Sequence, residues 1–197
     1  MLKSAKRDRA ATSQRITLCA LRLADERGLD GFTMDELAEA AEVSRRTLFN
    51  YFPGKLDAVL GEWPALADDD VERFRSGGPH GDLLADLRVL VMPLLGDDEV
   101  DRELLVATRR VLRANPRLLG SVHQRYEDLS TEVVGHITAR DTARDGSLGK
   151  SGAKVAVTLL AALFDAALDS FIDDPRDRAF THHFDQSLHT ARSLLGA

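Results

Sequence analysis

The sequence contains a single cysteine, Cys19, so it cannot form an intramolecular disulfide. A lone thiol is typical of a protein kept in the reducing cytosol, where stability comes from an apolar core. The 197 residues are enough to bury such a core. We therefore expect a cytoplasmic protein without covalent cross-links.

Long apolar runs are also missing. The longest uncharged apolar run, residues 155–164, contains ten residues, whereas a membrane-spanning helix needs roughly 20. The basic N-terminus is not followed by an apolar stretch of the signal-peptide type. The sequence predicts neither a membrane span nor export.

The chain has no excess of basic charge, since its net charge is −6. Domains that coat nucleic acid by charge alone are usually strongly basic, so this class is disfavoured. The charge is uneven: residues 1–60 hold ten basic and nine acidic residues, and the remainder holds 16 basic and 23 acidic residues. Any contact with phosphate therefore belongs to the N-terminal third.

Motifs for catalysis or metal binding are absent from the sequence. It has no glycine-rich phosphate loop and no acid pair at catalytic spacing. Three of the six histidines, His182, His183 and His189, lie close together but lack a nearby cysteine or a His-Glu-x-x-His spacing. We expect no enzyme activity, no metal site and no cofactor.

Apolar residues recur at three- and four-residue spacing throughout, which predicts an all-α fold. The stripe of Ile16, Ala20 and Leu23 predicts a first helix that ends at Gly28. A second helix begins after Thr33, because Glu36 stands at the capping-box position and Phe32 can pack on Leu37 as a hydrophobic staple.

A third short helix follows a tight turn at residues 42–43. Ser44 is placed to cap it, and it should run to about Phe52, before Pro53-Gly54. Two short helices joined by such a turn form a helix-turn-helix, whose last helix lies in the major groove of DNA. With Leu48 and Phe52 as core anchors, the other face of the helix points outward.

The start of this third helix carries the residue types that read DNA. Two guanidinium groups and two hydroxyls are concentrated there, and arginine matches the paired acceptors of guanine. Lys55, at the start of the next helix, is placed to hold a phosphate. The candidate DNA-contacting residues are Thr33, Ser44, Arg45, Arg46, Thr47, Asn50, Tyr51 and Lys55.

The rest of the chain also predicts helices. Lys55 begins a long fourth helix, bent near Pro64, that ends before a glycine-rich loop at residues 76–81. Helical stripes follow at about 84–94, 104–112 and 118–137. Residues 141–149 suggest a mobile connection, residues 150–172 a helix apolar around most of its circumference, and residues 178–195 a final helix.

The run from Gly31 to Lys55, GFTMDELAEAAEVSRRTLFNYFPGK, resembles the tetracycline-repressor (TetR) family of bacterial regulators. The resemblance covers about residues 9–60. It implies a homodimer on a palindromic operator, dimerisation through the last two helices, and a ligand cavity in the middle of the C-terminal domain. It also implies phosphate contacts from Thr33, Tyr51 and Lys55, and base contacts from Arg45, Arg46 and Thr47.

One position departs from the family pattern, because Glu42 stands in the turn where many members have glycine. We divide the chain into a flexible basic arm (1–8), a helix-turn-helix DNA-binding domain (9–60) and a ligand-sensing and dimerisation domain (61–197). The dimer interface is expected at about 150–172 and 178–195. The alternative is a helical protein-interaction module without sequence-specific DNA binding.

Effector binding is the least defined part of this prediction. Arg109, with Arg110 and Arg113 on the same predicted helix, could meet an anionic effector such as an acyl thioester or a phosphate, or could form a solvated face. Further candidate pocket residues share an aromatic, sulfur or imidazole side chain, but such residues also form ordinary cores. They are Trp63, Met92, His123, Tyr126 and Phe164.

Overall fold

The computed structural model describes residues 2–62, 65–95, 102–144, 146–174, 176 and 178–196. Within these residues it contains ten α-helices and no strand, which confirms the all-α prediction. A 3-10 turn, Met92–Leu95, directly follows α6. The helices are α1 (Leu2–Arg27), α2 (Met34–Ala40), α3 (Arg45–Tyr51), α4 (Lys55–Leu60), α5 (Asp68–Arg75), α6 (Leu83–Val91), α7 (Arg102–Ala114), α8 (Pro116–Thr142), α9 (Gly149–Asp173) and α10 (Phe180–Leu195).

The chain divides into two compact units. The first contains residues 1–63 and 103–124, and the second contains residues 64–102 and 125–197. The first unit therefore includes α1 to α4 together with α7 and the beginning of α8. The second includes α5, α6, the rest of α8, α9 and α10.

The core of the first unit is built on the predicted stripe of α1. Ile16, Ala20 and Leu23 are buried, together with apolar residues of α2, α3, α4 and α7. Cys19 packs against this core half-buried, and its thiol donates a hydrogen bond to the carbonyl of Ala40 at 3.4 Å. The helix begins at Leu2, so it includes the residues expected to form a basic arm.

The predicted long fourth helix is wrong, because the chain forms two helices there, α4 and α5. The break comes at Gly61, whose φ of +69° leaves the helical region. A Cβ at this glycine would lie 3.1 Å from the side chain of Thr17, so the close approach to α1 also requires glycine. The bend predicted near Pro64 lies outside the described residues.

The second unit is organised around α9, which packs against α10 and α6. The observed limits of α9 and α10 lie close to the predicted ones. Phe171 of α9 and Phe180 of α10 are buried in edge-on contact, with ring centroids 5.8 Å apart. The buried residues of α9 are Ala153, Ala156, Val157, Leu160, Leu163, Ala167 and Phe171.

By length and composition alone, α9 could cross a membrane, which the ten-residue run in its sequence did not indicate. A buried core helix passes the same test. In the structure α9 packs against α6 and α10, and its exposed face carries Lys154, Asp165 and Asp169. The apolar composition of α9 is therefore explained by its position as the central core helix of the second unit.

A buried ion pair joins three helices of the second unit. The Arg140 guanidinium of α8 lies 2.7 Å from the Asp86 carboxylate of α6, and both side chains are almost fully buried. Arg140 also donates to the carbonyls of Phe74 and Gly77, and its guanidinium lies over the Phe74 ring. The other acceptor positions of Asp86 receive the backbone N–H groups of His80 and Gly81, 2.7 and 3.1 Å away. The network connects α8 to α6 and to the end of α5.

The connection between α8 and α9, predicted to be mobile, is hydrogen-bonded to α8 where it is described. The two carboxylate oxygens of Asp141 accept the N–H groups of Leu148 and Gly149, at 3.1 and 2.9 Å. The N–H of Gly146, whose φ is +66°, donates a third hydrogen bond, to the backbone carbonyl of Asp141. Asp141 therefore fixes the N-terminus of α9 beside the C-terminus of α8.

A polar network fixes the junction of α9 and α10. The His183 ring, 1% exposed, contacts the Ser170 hydroxyl at 3.0 Å and lies 3.2 Å from the Asp174 carboxylate. Asp174 accepts hydrogen bonds from the Arg178 guanidinium and from the backbone of Arg176, which hold its pKa well below the usual range. Burial lowers the pKa of His183 despite the neighbouring carboxylate, so the folded protein favours the neutral ring.

Breaking the buried ion pair should destabilise the protein strongly. Replacing Asp86 by Asn or Arg140 by Met leaves one buried charge without a partner, which costs about 3–5 kcal/mol. The measurement is urea unfolding of the full chain. Arg192→Gln is the control, since it breaks an exposed pair with Asp82 and should cost less than about 1 kcal/mol. Equal effects of the buried and exposed substitutions would contradict this account.

Acidification should destabilise the α9–α10 junction through His183. An unfolded histidine takes up a proton as the pH falls through about 6.5, but the buried ring resists protonation, so stability is lost as the pH falls. We expect the decrease in Tm between pH 7.5 and 5.5 to be smaller in His183→Gln than in the wild type. His189→Gln, at an exposed position of α10, should keep the wild-type pH dependence.

Candidate nucleic-acid interface

The start of α2 has the predicted capping box. The Thr33 hydroxyl accepts the N–H of Glu36 at 3.2 Å, and the Glu36 carboxylate accepts the N–H and the hydroxyl of Thr33 at 2.7 and 2.9 Å. These bonds, with Arg27 and Lys55 nearby, lower the pKa of Glu36. Phe32 and Leu37 are both buried in the core of the first unit, as the staple requires.

The turn between α2 and α3 depends on an unusual backbone conformation at Glu42. Its φ of +53° lies in the left-handed region that glycine normally occupies. The turn is closed by hydrogen bonds from the N–H of Glu42 to Glu39 and from that of Val43 to Ala38. The departure from the family pattern therefore keeps the backbone geometry of a glycine turn and places the strain on a glutamate.

The recognition helix α3 is fixed by a cap and by buried anchors. The Ser44 hydroxyl accepts the N–H of Thr47 at 3.0 Å and also contacts the Thr47 hydroxyl at 2.7 Å. Leu48 is fully buried, and Phe52, at the C-cap, is 3% exposed. The cap and both anchors agree with the sequence prediction.

The opposite face of α3 is exposed. Arg45, Arg46 and Asn50 are solvent-accessible, and Thr47 and Tyr51 are half-buried. Sequence reasoning missed Phe49, which is 43% exposed on this face. The sequence could have indicated this exposure, because the buried anchors Leu48 and Phe52 are four residues apart and Phe49 does not follow that spacing.

The two arginines of α3 differ in their surroundings. Arg45 lies 3.1 Å from the Asp35 carboxylate of α2, and its guanidinium lies 5.7 Å from the centre of the Phe49 ring. Both partners of the ion pair are more than 60% exposed, so the pair contributes little to stability. Arg46 makes no hydrogen bond or ion pair with any residue in the described part of the chain.

Lys55 has a structural role that the sequence did not indicate. Its ammonium donates to the carbonyls of Leu29 and Phe32, each at 2.7 Å, and lies 5.1 Å from the centre of the Phe32 ring. The side chain thus ties the start of α4 to the loop before α2. One of its three N–H groups remains for another acceptor.

Tyr51 links α3 to α1 through a cation–π contact. The Arg9 guanidinium lies 5.2 Å from the centre of its ring. This arrangement places an arginine of α1 beside the outward end of α3. Arg9 was not among the predicted contact residues, because sequence spacing gives no indication of a contact over 42 positions.

The predicted effector residues are distributed over both units. Arg109 and His123 belong to the first unit, and Met92, Tyr126 and Phe164 belong to the second. His123 is exposed, Met92 is half-buried, and the Phe164 ring makes a tilted contact with the Phe180 ring, with ring centroids 5.3 Å apart. Tyr126, 37% exposed, lines a groove between α8 and α9. Trp63 lies outside the described residues.

Capped short helices, a tight turn and an exposed basic face define a helix-turn-helix DNA-binding domain. The model of the bacterial regulatory proteins of the tetR family matches residues 16–59, from the buried part of α1 to α4. Residues 16–59 therefore form a helix-turn-helix domain of the tetR type, which supports a DNA-binding transcription regulator of this family. No curated protein matches the sequence.

Replacing Glu42 by glycine should stabilise the first unit. The left-handed conformation costs an L-residue about 1–2 kcal/mol, and the greater freedom of glycine in the unfolded chain offsets roughly 0.5–1 kcal/mol of that. We expect a gain of up to about 1 kcal/mol in the free energy of unfolding, measured with urea. Glu39→Gly, in the last turn of α2, is the matched control and should be destabilising. A loss of stability in both variants would refute the strain at Glu42.

Proposed function

We propose that this regulator is a cytoplasmic, homodimeric repressor that binds a palindromic operator and is released from it by a small-molecule effector. The observation that supports DNA reading best is the exposed face of α3. This face combines two guanidinium groups, an amide and hydroxyls on a helix that is otherwise anchored in the core. We assign base contacts to Arg45, Arg46, Thr47 and Asn50.

Phosphate contacts are assigned to the residues around this helix. Thr33, Ser44 and Tyr51 have polar groups at the ends of α2 and α3, and each is at least partly accessible. Lys55 can offer one remaining N–H while it holds the loop before α2. Phosphate contacts position the helix on the duplex, whereas base contacts give the sequence preference.

Dimerisation is assigned to α9 and α10. Val155 of α9 is 66% exposed and Leu194 of α10 is 82% exposed, which leaves apolar surface uncovered on both helices. Small residues on the exposed face of α9, Ala162 and Ala166, allow close approach of a second helix. Members of the family typically act as dimers, and a two-fold dimer presents two recognition helices to one palindrome.

Regulation follows from differential binding. An effector that binds more tightly to a dimer with wrongly spaced recognition helices draws the population away from the DNA-bound state. The ligand needs no contact with DNA for this effect.

Selection of random duplex DNA by the purified protein tests operator binding. We expect the wild type to enrich a palindrome, and Arg46→Ala to bind the enriched site more weakly by about 1–3 kcal/mol with relaxed preference at the contacted base. Arg45→Ala should weaken binding less than Arg46→Ala does. The Arg45 guanidinium must give up its ion pair with Asp35 to reach DNA, so its net contribution to binding is smaller.

Arg113→Ala provides the matched control, since this arginine is exposed on α7 and lies outside the helix-turn-helix. It should enrich the wild-type motif with unchanged affinity. A motif without dyad symmetry would refute the homodimer on a palindrome. Enrichment of no motif, together with DNA binding that is insensitive to salt, would instead favour a helical protein-interaction module.

A further inference from the structure

A groove of about 920 Å³ runs between residues 126–142 of α8 and residues 150–158 of α9. All of its lining residues belong to these two helices and to the second unit. We call it the α8–α9 groove. Along α8 it extends over 16 residues beyond Tyr126, which corresponds to about 24 Å at the rise of an α-helix.

The charges of the groove are separated along its length. Lys150 and Lys154 lie four residues apart on one face of α9, and neither ammonium pairs with an acidic group among the described residues. The acidic lining residue, Glu127, lies at the other end, near Tyr126. Asp141 lies next to the lysine end with one negative charge, and both of its carboxylate oxygens accept backbone N–H groups. Two lysines against one aspartate leave this end net positive, so it attracts an anion, and the far end repels one.

The middle of the groove is less polar than its composition indicates. The hydroxyls of Thr138, Thr142 and Thr158 donate to carbonyls of their own helices, at 2.8, 2.8 and 3.0 Å. With these hydroxyl protons used, the threonines contribute mainly their methyl groups to the lining. Val134 and Val157 add apolar surface between the lysine end and Tyr126.

We propose that the α8–α9 groove binds an elongated amphipathic carboxylate. The carboxylate lies at Lys150 and Lys154, and the apolar chain follows Val134 and Val157 towards Tyr126. The two lysines at one end and the apolar lining beyond them match the two parts of such an anion. The binding itself depends only on the groove, whereas its effect on DNA rests on the proposed function.

Calorimetric titration of decanoate into the full chain, without DNA, tests the proposal. We expect saturable binding to the wild type and no binding of acetate, which lacks the chain, or of decyltrimethylammonium, which carries the opposite charge. The double variant Lys150→Gln/Lys154→Gln should bind decanoate about tenfold or more weakly, because charge-assisted contacts to the anion are lost. The double variant Arg22→Gln/Arg117→Gln removes the same charge from exposed positions outside the groove and should bind decanoate normally.

A second pair of variants tests the location without changing charge. Gly135 lines the groove, and a Cβ built there meets no atom within 4 Å. Gly135→Leu therefore fills the groove, and it keeps α8 folded because leucine is a better helix former than glycine. Gly120→Leu is the matched control, since Gly120 lies on α8 outside the groove and is equally open. We expect only Gly135→Leu to abolish decanoate binding.

Equal affinity of decanoate for all four variants, or equal affinity of the cation and the anion, would overturn the proposal. A third contrary result is that decanoate does not bind and Gly135→Leu changes the oligomeric state in sedimentation, which would show that a second copy covers the groove. Because no DNA is present, failure of this titration is distinct from failure of operator selection.

Discussion

A helix of seven residues cannot maintain itself in water, and both α2 and α3 have that length. The direction of every side chain on the outward face of α3 therefore depends on groups that hold the helix from outside. The Ser44 cap satisfies its first turn, Leu48 and Phe52 bury its inner face, and the turn at Glu42 sets its angle to α2. Lys55 then locks the following helix onto the loop before α2. The direction of the outward face of α3 is therefore set by one cap, two buried anchors, one turn and the bonds of Lys55.

The second unit uses a different kind of support. Arg140 and Asp86 are buried charges that each find several partners, and those partners come from α5, α6 and the loop between them. Such a network is weak evidence for high stability, because removing charges from water is costly. Its contribution is geometric, since a shift of α8 relative to α6 would leave a buried charge unpaired. The same helix, α8, supplies one wall of the α8–α9 groove.

The features that the sequence predicted well are those encoded by neighbouring residues. The capping box at Thr33, the Ser44 cap and the anchors of α3 all operate within four positions, and the structure has each of them. The break at Gly61 was missed because its reason is contact with Thr17, 44 positions earlier. The internal bonds of Lys55 and the pairing of Arg140 with Asp86 are likewise contacts between distant segments, which periodicity does not encode. The sequence did not predict the groove, because threonine counts as a polar residue. Only the structure shows that the threonine hydroxyls donate to backbone carbonyls of their own helices.

The contact between Arg45 and Asp35 also affects the thermodynamics of DNA recognition. A basic side chain that meets a phosphate or a base usually does so with the release of small ions, and this release makes binding depend on salt. Arg45 already has a carboxylate beside it, so the DNA contact proposed for Arg45 would exchange one ionic partner for another and expose Asp35 to the negatively charged duplex. Under that proposal, the number of ions released on binding is smaller than the number of basic groups at the interface. Salt would then act on Arg45 twice, weakening its contact with Asp35 in the free protein and its proposed contact with DNA in the complex.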